Sequence, residues 1–193
     1  MKLNALLFTA LSLSVVSVAQ AEVKTNGFYV GGAIGSTGVD ASRDISINAD
    51  GLSYKFIGGY QFNRIVGIEA QYTSYGDINL PADKNTWSAS STAVTANLGY
   101  TFDSGLRPYG LIGLSSINLN EQKETLVDDQ GIALRAGLGI EYAPAMLNGL
   151  AFRLGYEIDY FGIQTQYSLF GSTVTEDVTY SISSLNLGAT YKF

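Results

Sequence analysis

Histidine and cysteine are both absent from the 193 residues, and that removes more chemistry than any motif supplies. Without His there is no ordinary general base, no imidazole metal ligand and no Ser-His arrangement. Without Cys there is no disulfide framework, thiolate metal site or cysteine nucleophile. Carboxylates, lysines and arginines remain. Asp128-Asp129 with Glu121 and Glu124 could attract a divalent cation, but their spacing matches no calcium loop and reads as a solvated acidic segment. Gly31 to Gly38 is as glycine-dense as a phosphate-cradling loop. It lacks the Lys of one and no helix pattern follows, so these read as strand glycines. No catalytic residue, cofactor or metal is expected.

The charged residues that could act together are Lys55, Glu69, Arg135, Arg153, Glu157 and Asp159. What they can do depends on the elements that carry them.

The first residues are set aside. Lys2 gives a positive start, and Leu3 to Val18 is an apolar stretch shorter than the ~20 residues of a spanning helix. Ala19-Gln20-Ala21 is an A-x-A cleavage pattern, which makes residues 1–21 a cleaved signal peptide and Glu22 the first residue of a mature domain, 22–193. That domain carries ten basic and seventeen acidic residues, a net charge of −7. Such a balance disfavours nucleic acid, whose phosphates need Lys and Arg.

The mature chain reads as eight segments of period two: Gly27–Ser36, Gly51–Phe62, Val66–Tyr75, Ser88–Phe102, Leu106–Ser116, Gln130–Tyr142, Leu150–Phe161 and Val178–Phe193. One face is apolar and aromatic, as in Leu52, Tyr54, Phe56, Tyr60 and Phe62. The other is small, polar or charged, as in Ala133, Arg135, Gly137, Gly139 and Glu141. A soluble sandwich would show water an outer face of Lys, Glu and Thr. Here the polar face is crowded with Gly and Ala, which suits a narrow concave lumen. The apolar face ends in Tyr and Phe, as at the two interfaces of a membrane.

Connections alternate long and short. The long ones are about 37–50, 76–87, 117–129 and 162–177; the short ones are 63–65, 103–105 and about 143–149. Short turns at one rim and long loops at the other fit an all-β, closed, eight-stranded antiparallel up-and-down transmembrane barrel, with both mature termini at the short-turn, periplasmic end. Asp103-Ser104-Gly105 suits a type I turn with a G1 bulge. That turn sends Ile112 and Leu114 to lipid and Arg107, Tyr109 and Leu111 inward.

Lys55, Arg135 and Glu157 then lie seven residues above the short-turn rim, Glu69 and Arg153 three above it, and Asp159 higher. If Tyr142 faces Leu150 across the sixth connection, Arg135 lies directly opposite Glu157. In a lumen only just filled by side chains these charges must pair. The set therefore reads as a structural plug, with a gated pore as the alternative.

Gly27-Phe28-Tyr29-Val30-Gly31-Gly32, Gly59-Tyr60-Gln61-Phe62-Asn63, Arg107-Pro108-Tyr109-Gly110 and Phe152-Arg153-Leu154-Gly155-Tyr156 resemble segments of the small outer-membrane barrel superfamily. It includes the transmembrane domain of outer membrane protein A and the OmpX and Opa adhesin barrels. Leu187, Ala189, Tyr191 and Phe193 at the end of the chain are similar to the signal read by the barrel-assembly machinery. The resemblance implies a monomer in the Gram-negative outer membrane, in contact with lipid and lipopolysaccharide. It implies a non-enzymatic role, envelope-structural or adhesin-like with an extracellular ligand held by the long loops; the alternative is a narrow porin-like solute channel.

Overall fold

The computed structural model describes residues 23–41, 48–49, 52–80, 85–120, 130–169 and 172–193. The expected cleavage residues Ala19, Ala21 and Glu22 and the acidic residues Glu121, Glu124, Asp128 and Asp129 lie outside them. Eight long strands form in chain order: β1 Gly27–Ala41, β2 Leu52–Gln61, β3 Val66–Leu80, β4 Asn85–Gly99, β5 Leu106–Asn118, β6 Gln130–Tyr142, β7 Leu150–Leu169 and β8 Ser172–Lys192. Each pairs antiparallel with its chain neighbours, and β1 pairs with β8 (Val30 opposite Tyr191), which closes the sheet into an up-and-down barrel. A two-residue piece, Asn48–Ala49, adds to β3 beside Ile78 and Asn79.

The side-chain pattern is inverted relative to a water-soluble protein. Ile132 is 79 % exposed and Leu52 70 %, whereas Arg135 is 1 % exposed and Glu69 fully buried. An apolar surface of this extent is stable only against lipid. At the short-turn end the outward aromatics pair edge to face, Phe28 with Tyr60, Tyr60 with Phe62, Tyr100 with Phe102 and Tyr191 with Phe193. They form the aromatic belt of that interface.

The short turns set the register. Asn63 Oδ1 accepts from the amides of Ile65 and Val66, which fixes the β2–β3 turn. Gly105 has φ +83°, and its amide donates to Phe102 O while Phe102 donates to Leu106 O. That is the bulged turn read from Asp103-Ser104-Gly105, and Ile112 and Leu114 face lipid while Arg107, Tyr109 and Leu111 face inward. Arg64 Nη1 lies 2.6 Å from Asp103 Oδ1 and ties the two turns together, and the carboxylate raises the arginine's already high pKa by hydrogen bond and charge. Exposed pairs contribute little to stability. Arg64→Ala is expected to leave the urea unfolding midpoint unchanged, and a clear drop would show the staple to be structural.

The sixth connection departs from expectation. Tyr142 faces Phe152, not Leu150. The chain from Ala143 to Ala151 is spent on a 3₁₀ turn, Ala145–Leu147, left by two positive-φ residues, Asn148 and Gly149. Both ends bond to other strands' termini instead of to each other: Ala143 N donates to Gly105 O, and Lys192 N donates to Gly149 O. The register slips by two residues, an even number, so every side chain keeps its face. Arg135 consequently lies opposite Asp159 and not Glu157.

Several strands run beyond their expected ends on the long-loop side. Much of 162–177, expected as a loop, is a β7–β8 hairpin paired up to Leu169 with Ser172. In β3 a bulge between Ser74 and Asp77, with Gly76 at φ +72°, opposes the extra residues to Ala89. It reverses the alternation. Tyr75 points inward, and Asp77 emerges on the exposed face, where its carboxylate accepts from Ser88 Oγ at 2.8 Å. Without that bulge a carboxylate would be driven into the apolar upper lumen.

Candidate functional site: the filled lumen

The inward side chains stack in four levels from the short-turn end. At the mouth, Lys192 Nζ donates to Gln61 Oε1 at 2.5 Å and to Lys24 O at 3.2 Å, and Gln61 Nε2 donates to Asn63 O and Thr101 Oγ1.

Above them Glu69 is a hub. Its carboxylate accepts from Tyr29 Oη at 2.7 Å, Asn97 Nδ2 at 2.9 Å, Gln71 Nε2 at 2.5 Å and both terminal nitrogens of Arg153 at 3.0 and 3.3 Å. Arg153 also lies 4.7 Å from the centre of the Tyr109 ring, a cation–π contact that its planar guanidinium suits. Arg107, Glu141 and Arg153 form a cross-strand row on β5, β6 and β7. Glu141 Oε2 approaches Arg153 Nε at 3.7 Å.

The third level belongs to Arg135. Its fork grips Asp159 through Nε at 2.8 Å and Nη2 at 2.5 Å, and its remaining donors go to Gln71, Tyr75 and Ser91. Asp159 accepts further from Ser115 and Tyr75. Glu157 lies 3.7 Å from Arg135 but its close partner is Lys55, 2.6 Å away across the lumen. That Lys55–Glu157 contact is one of charge, without a well-aligned hydrogen bond. Its two strands share no ladder, so the pair ties opposite walls together.

The fourth level is apolar. Tyr75, Ala89, Ile117, Leu119, Ala133, Phe161 and Ile182 cluster inside the upper barrel, with Val39 and Tyr180 packed against them. Thr37 Oγ1, donating to Tyr75 O, links the wall to this cap.

The six residues named from the sequence thus form two sets. Glu69 with Arg153 makes one; Lys55, Glu157, Arg135 and Asp159 make the other. Sequence reasoning gave no role to Tyr29, Tyr75, Gln71 or Asn97, which complete their hydrogen bonds, or to the Tyr109 ring beneath Arg153. Parity signalled Tyr75, four residues beyond Gln71 on the same face. The apolar cap was missed altogether. Among the described residues no group of three His, Cys, Asp or Glu side chains is placed to hold a metal. Leu187, Tyr191 and Phe193 face outward, and the Phe193 amide donates to Phe28 O at 2.9 Å, so the chain end is built into the seam between β8 and β1.

Known proteins share this architecture. The chain is 28 % identical over 205 residues to outer membrane protein A of Klebsiella aerogenes, covering all of this chain and 56 % of that protein. It thus spans about half the length of the curated relatives it matches. The crystal structure of Neisserial surface protein A superposes with a TM-score of 0.58 at 20 % identity, covering 86 % of this chain and 97 % of that one. Ail, the attachment invasion locus protein of Yersinia pestis, does so with a TM-score of 0.55 at 13 % identity, covering 88 % of this chain and all of the other. A family model described as "Outer membrane protein beta-barrel domain" matches residues 8–193. The protein, an outer-membrane barrel of eight strands, belongs to the outer membrane protein beta-barrel domain family.

Proposed function

We propose that this protein is a non-conducting, non-enzymatic platform whose lumen is a structural plug and whose loops bind at the cell surface. The carrying observation is the filled lumen: a hydrogen-bonded mouth, two ion-paired levels and an apolar cap in series. A conducting path needs continuous polar space, and the cap interrupts it. A porin-like solute channel is correspondingly disfavoured. His and Cys are absent, and Glu69, Glu157 and Asp159, among the described lumen acids, are engaged by cations, which supports a non-enzymatic reading. The chain end Leu187, Ala189, Tyr191 and Phe193 fits recognition by the assembly machinery, and the barrel needs no second copy to close.

The segments 37–50, 76–87, 117–129 and 162–177, strand ends and loops of the long-loop end, carry eleven acidic and three basic residues. The negative charge of the domain therefore sits at the surface end, which favours a basic partner and repels polyanions. Ail has been solved in complex with the heparin analogue sucrose octasulfate; the charge here points to a ligand of opposite sign. The purified protein is expected to be silent in planar bilayers, and cells carrying it to bind basic proteins better than sulfated glycans. Stepwise conductance in the unmodified protein would overturn the plug reading.

A further inference from the structure

We propose that the periplasmic mouth of the barrel is a binding site for a small organic carboxylate. This site is at the end opposite the loops and does not depend on what they bind. A cleft of about 170 Å³ opens there, between the segment leading into β1 and the β6–β7 connection. Its walls are apolar and small, with Val23, Ala143, Pro144 and Ala145, and its charges are Lys24 and Lys192.

Lys192 is also a wall of a second, inner space lined by Tyr29, Gln61, Asn97, Arg107 and Glu141, which is too narrow to admit a water-sized group. Glu141 is a carboxylate on that inner space, whereas among the described residues no carboxylate lines the outer cleft. Lys192 is 8 % exposed and its ammonium donates to two neutral oxygens. Arg107 is 2 % exposed, and its buried Nε has no hydrogen-bond partner. Among the described residues neither cation has a carboxylate within 4 Å. Arg107 has instead a distant contact with the Tyr109 ring, 5.8 Å from its centre. Glu141, opposite Arg107 in register, is drawn to Arg153.

Lys192 is a buried cation of the cleft with neutral partners only, so an anion entering from the periplasm supplies the opposite charge it lacks. The cleft sets its class. A carboxylate can meet Lys192 and Lys24 while a short apolar stem lies against the alanines and Pro144, an arrangement typical of small-ligand sites. A bare inorganic ion would leave that apolar wall unused.

N-acetylalanine, its uncharged amide twin and inorganic phosphate are suitable probes for the refolded barrel in micelles, followed by ¹⁵N–¹H NMR. N-acetylalanine is expected to shift the amides of Asn148, Gly149 and Lys192 saturably, with the effect weakening as salt rises. The amide twin should not. Lys24→Gln should weaken binding at least severalfold, with retained heat-modifiable mobility on gels as the check of folding. Absence of saturable shifts, equal binding of the amide twin, or indifference to Lys24→Gln would overturn the site. Equal saturation by phosphate would overturn its selectivity for an organic carboxylate.

Discussion

Arg135→Ala is expected to destabilise the barrel by about 3–5 kcal/mol, because it strands the buried Asp159 carboxylate without its counter-charge. The guanidinium is 1 % exposed and supplies two bonds to Asp159, plus one each to Gln71, Tyr75 and Ser91. Asp159→Ala should cost a similar amount by stranding the arginine. The double variant should cost less than the sum of the two, since each single change already removes the shared interaction. Arg135→Lys should rescue little, because an ammonium cannot reproduce the fork that spans both carboxylate oxygens. Urea unfolding in lipid vesicles measures all four. Near-additivity of the two alanine changes would mean that water in the lumen compensates each charge separately. Running the same cycle on Arg135 and Glu157 should give a much smaller coupling, since those groups are 3.7 Å apart and Glu157 is held by Lys55.

That contrast marks what could and could not be read from the sequence. Alternation assigns faces, and Arg135, Glu157 and Asp159 are all buried, since a barrel wall tolerates no change of parity except at a bulge. Partner choice is another matter. It needs the register across each turn, and the β6–β7 connection has no two- or three-residue signature to fix it. Its 3₁₀ turn, the bond from Ala143 N to Gly105 O and the bond from Lys192 N to Gly149 O are tertiary features. The two tight turns were legible because Asn63 and Gly105 carry their conformations locally.

The apolar cap went unread for a related reason. Above Ser74, Tyr75 and Ala89 are ordinary strand residues, and Ile117 and Leu119 fall where a loop was expected. An inward apolar position is indistinguishable by pattern from an outward one until the parity of its strand is known. The bulge at Gly76 reverses that parity within β3 itself.

The extended strands and the cap belong together. The described parts of β3, β5, β7 and β8 run past the charged levels, and their inward positions enclose Tyr75, Ile117, Phe161 and Ile182. Above the membrane a sheet loses the lipid that stabilised its outer face, so its core must lie inside, as in a soluble barrel. The lumen is thus charged at the levels of Glu69 and Arg135 and apolar above them.

The lower lumen sets a steric limit that a second set of variants should expose. Gly155→Ala is expected to destabilise the barrel by about 1–3 kcal/mol, the usual range for overpacking. A β-carbon at Gly155 would lie 2.8 Å from the Tyr109 hydroxyl and no closer than 3.7 Å to any backbone atom outside its own chain neighbours. The obstruction is therefore a single oxygen atom. Tyr109→Phe removes that atom while keeping the ring under Arg153, so Gly155→Ala should be largely rescued in the Tyr109→Phe background. Gly139 is the control. A β-carbon there would meet the same hydroxyl at 2.5 Å but also the Leu154 carbonyl oxygen at 2.6 Å. Backbone cannot be trimmed by substitution, so Gly139→Ala should stay destabilised by a similar or greater amount in either background. The four unfolding free energies relative to wild type and Tyr109→Phe decide it. If both glycine variants are rescued equally, the strand itself yields and Tyr109 is the whole constraint. If neither is rescued, the ring and not its hydroxyl fills the space, and the two glycines are required to let an aromatic side chain lie flat across β6 and β7 beneath the Arg153–Glu69 pair.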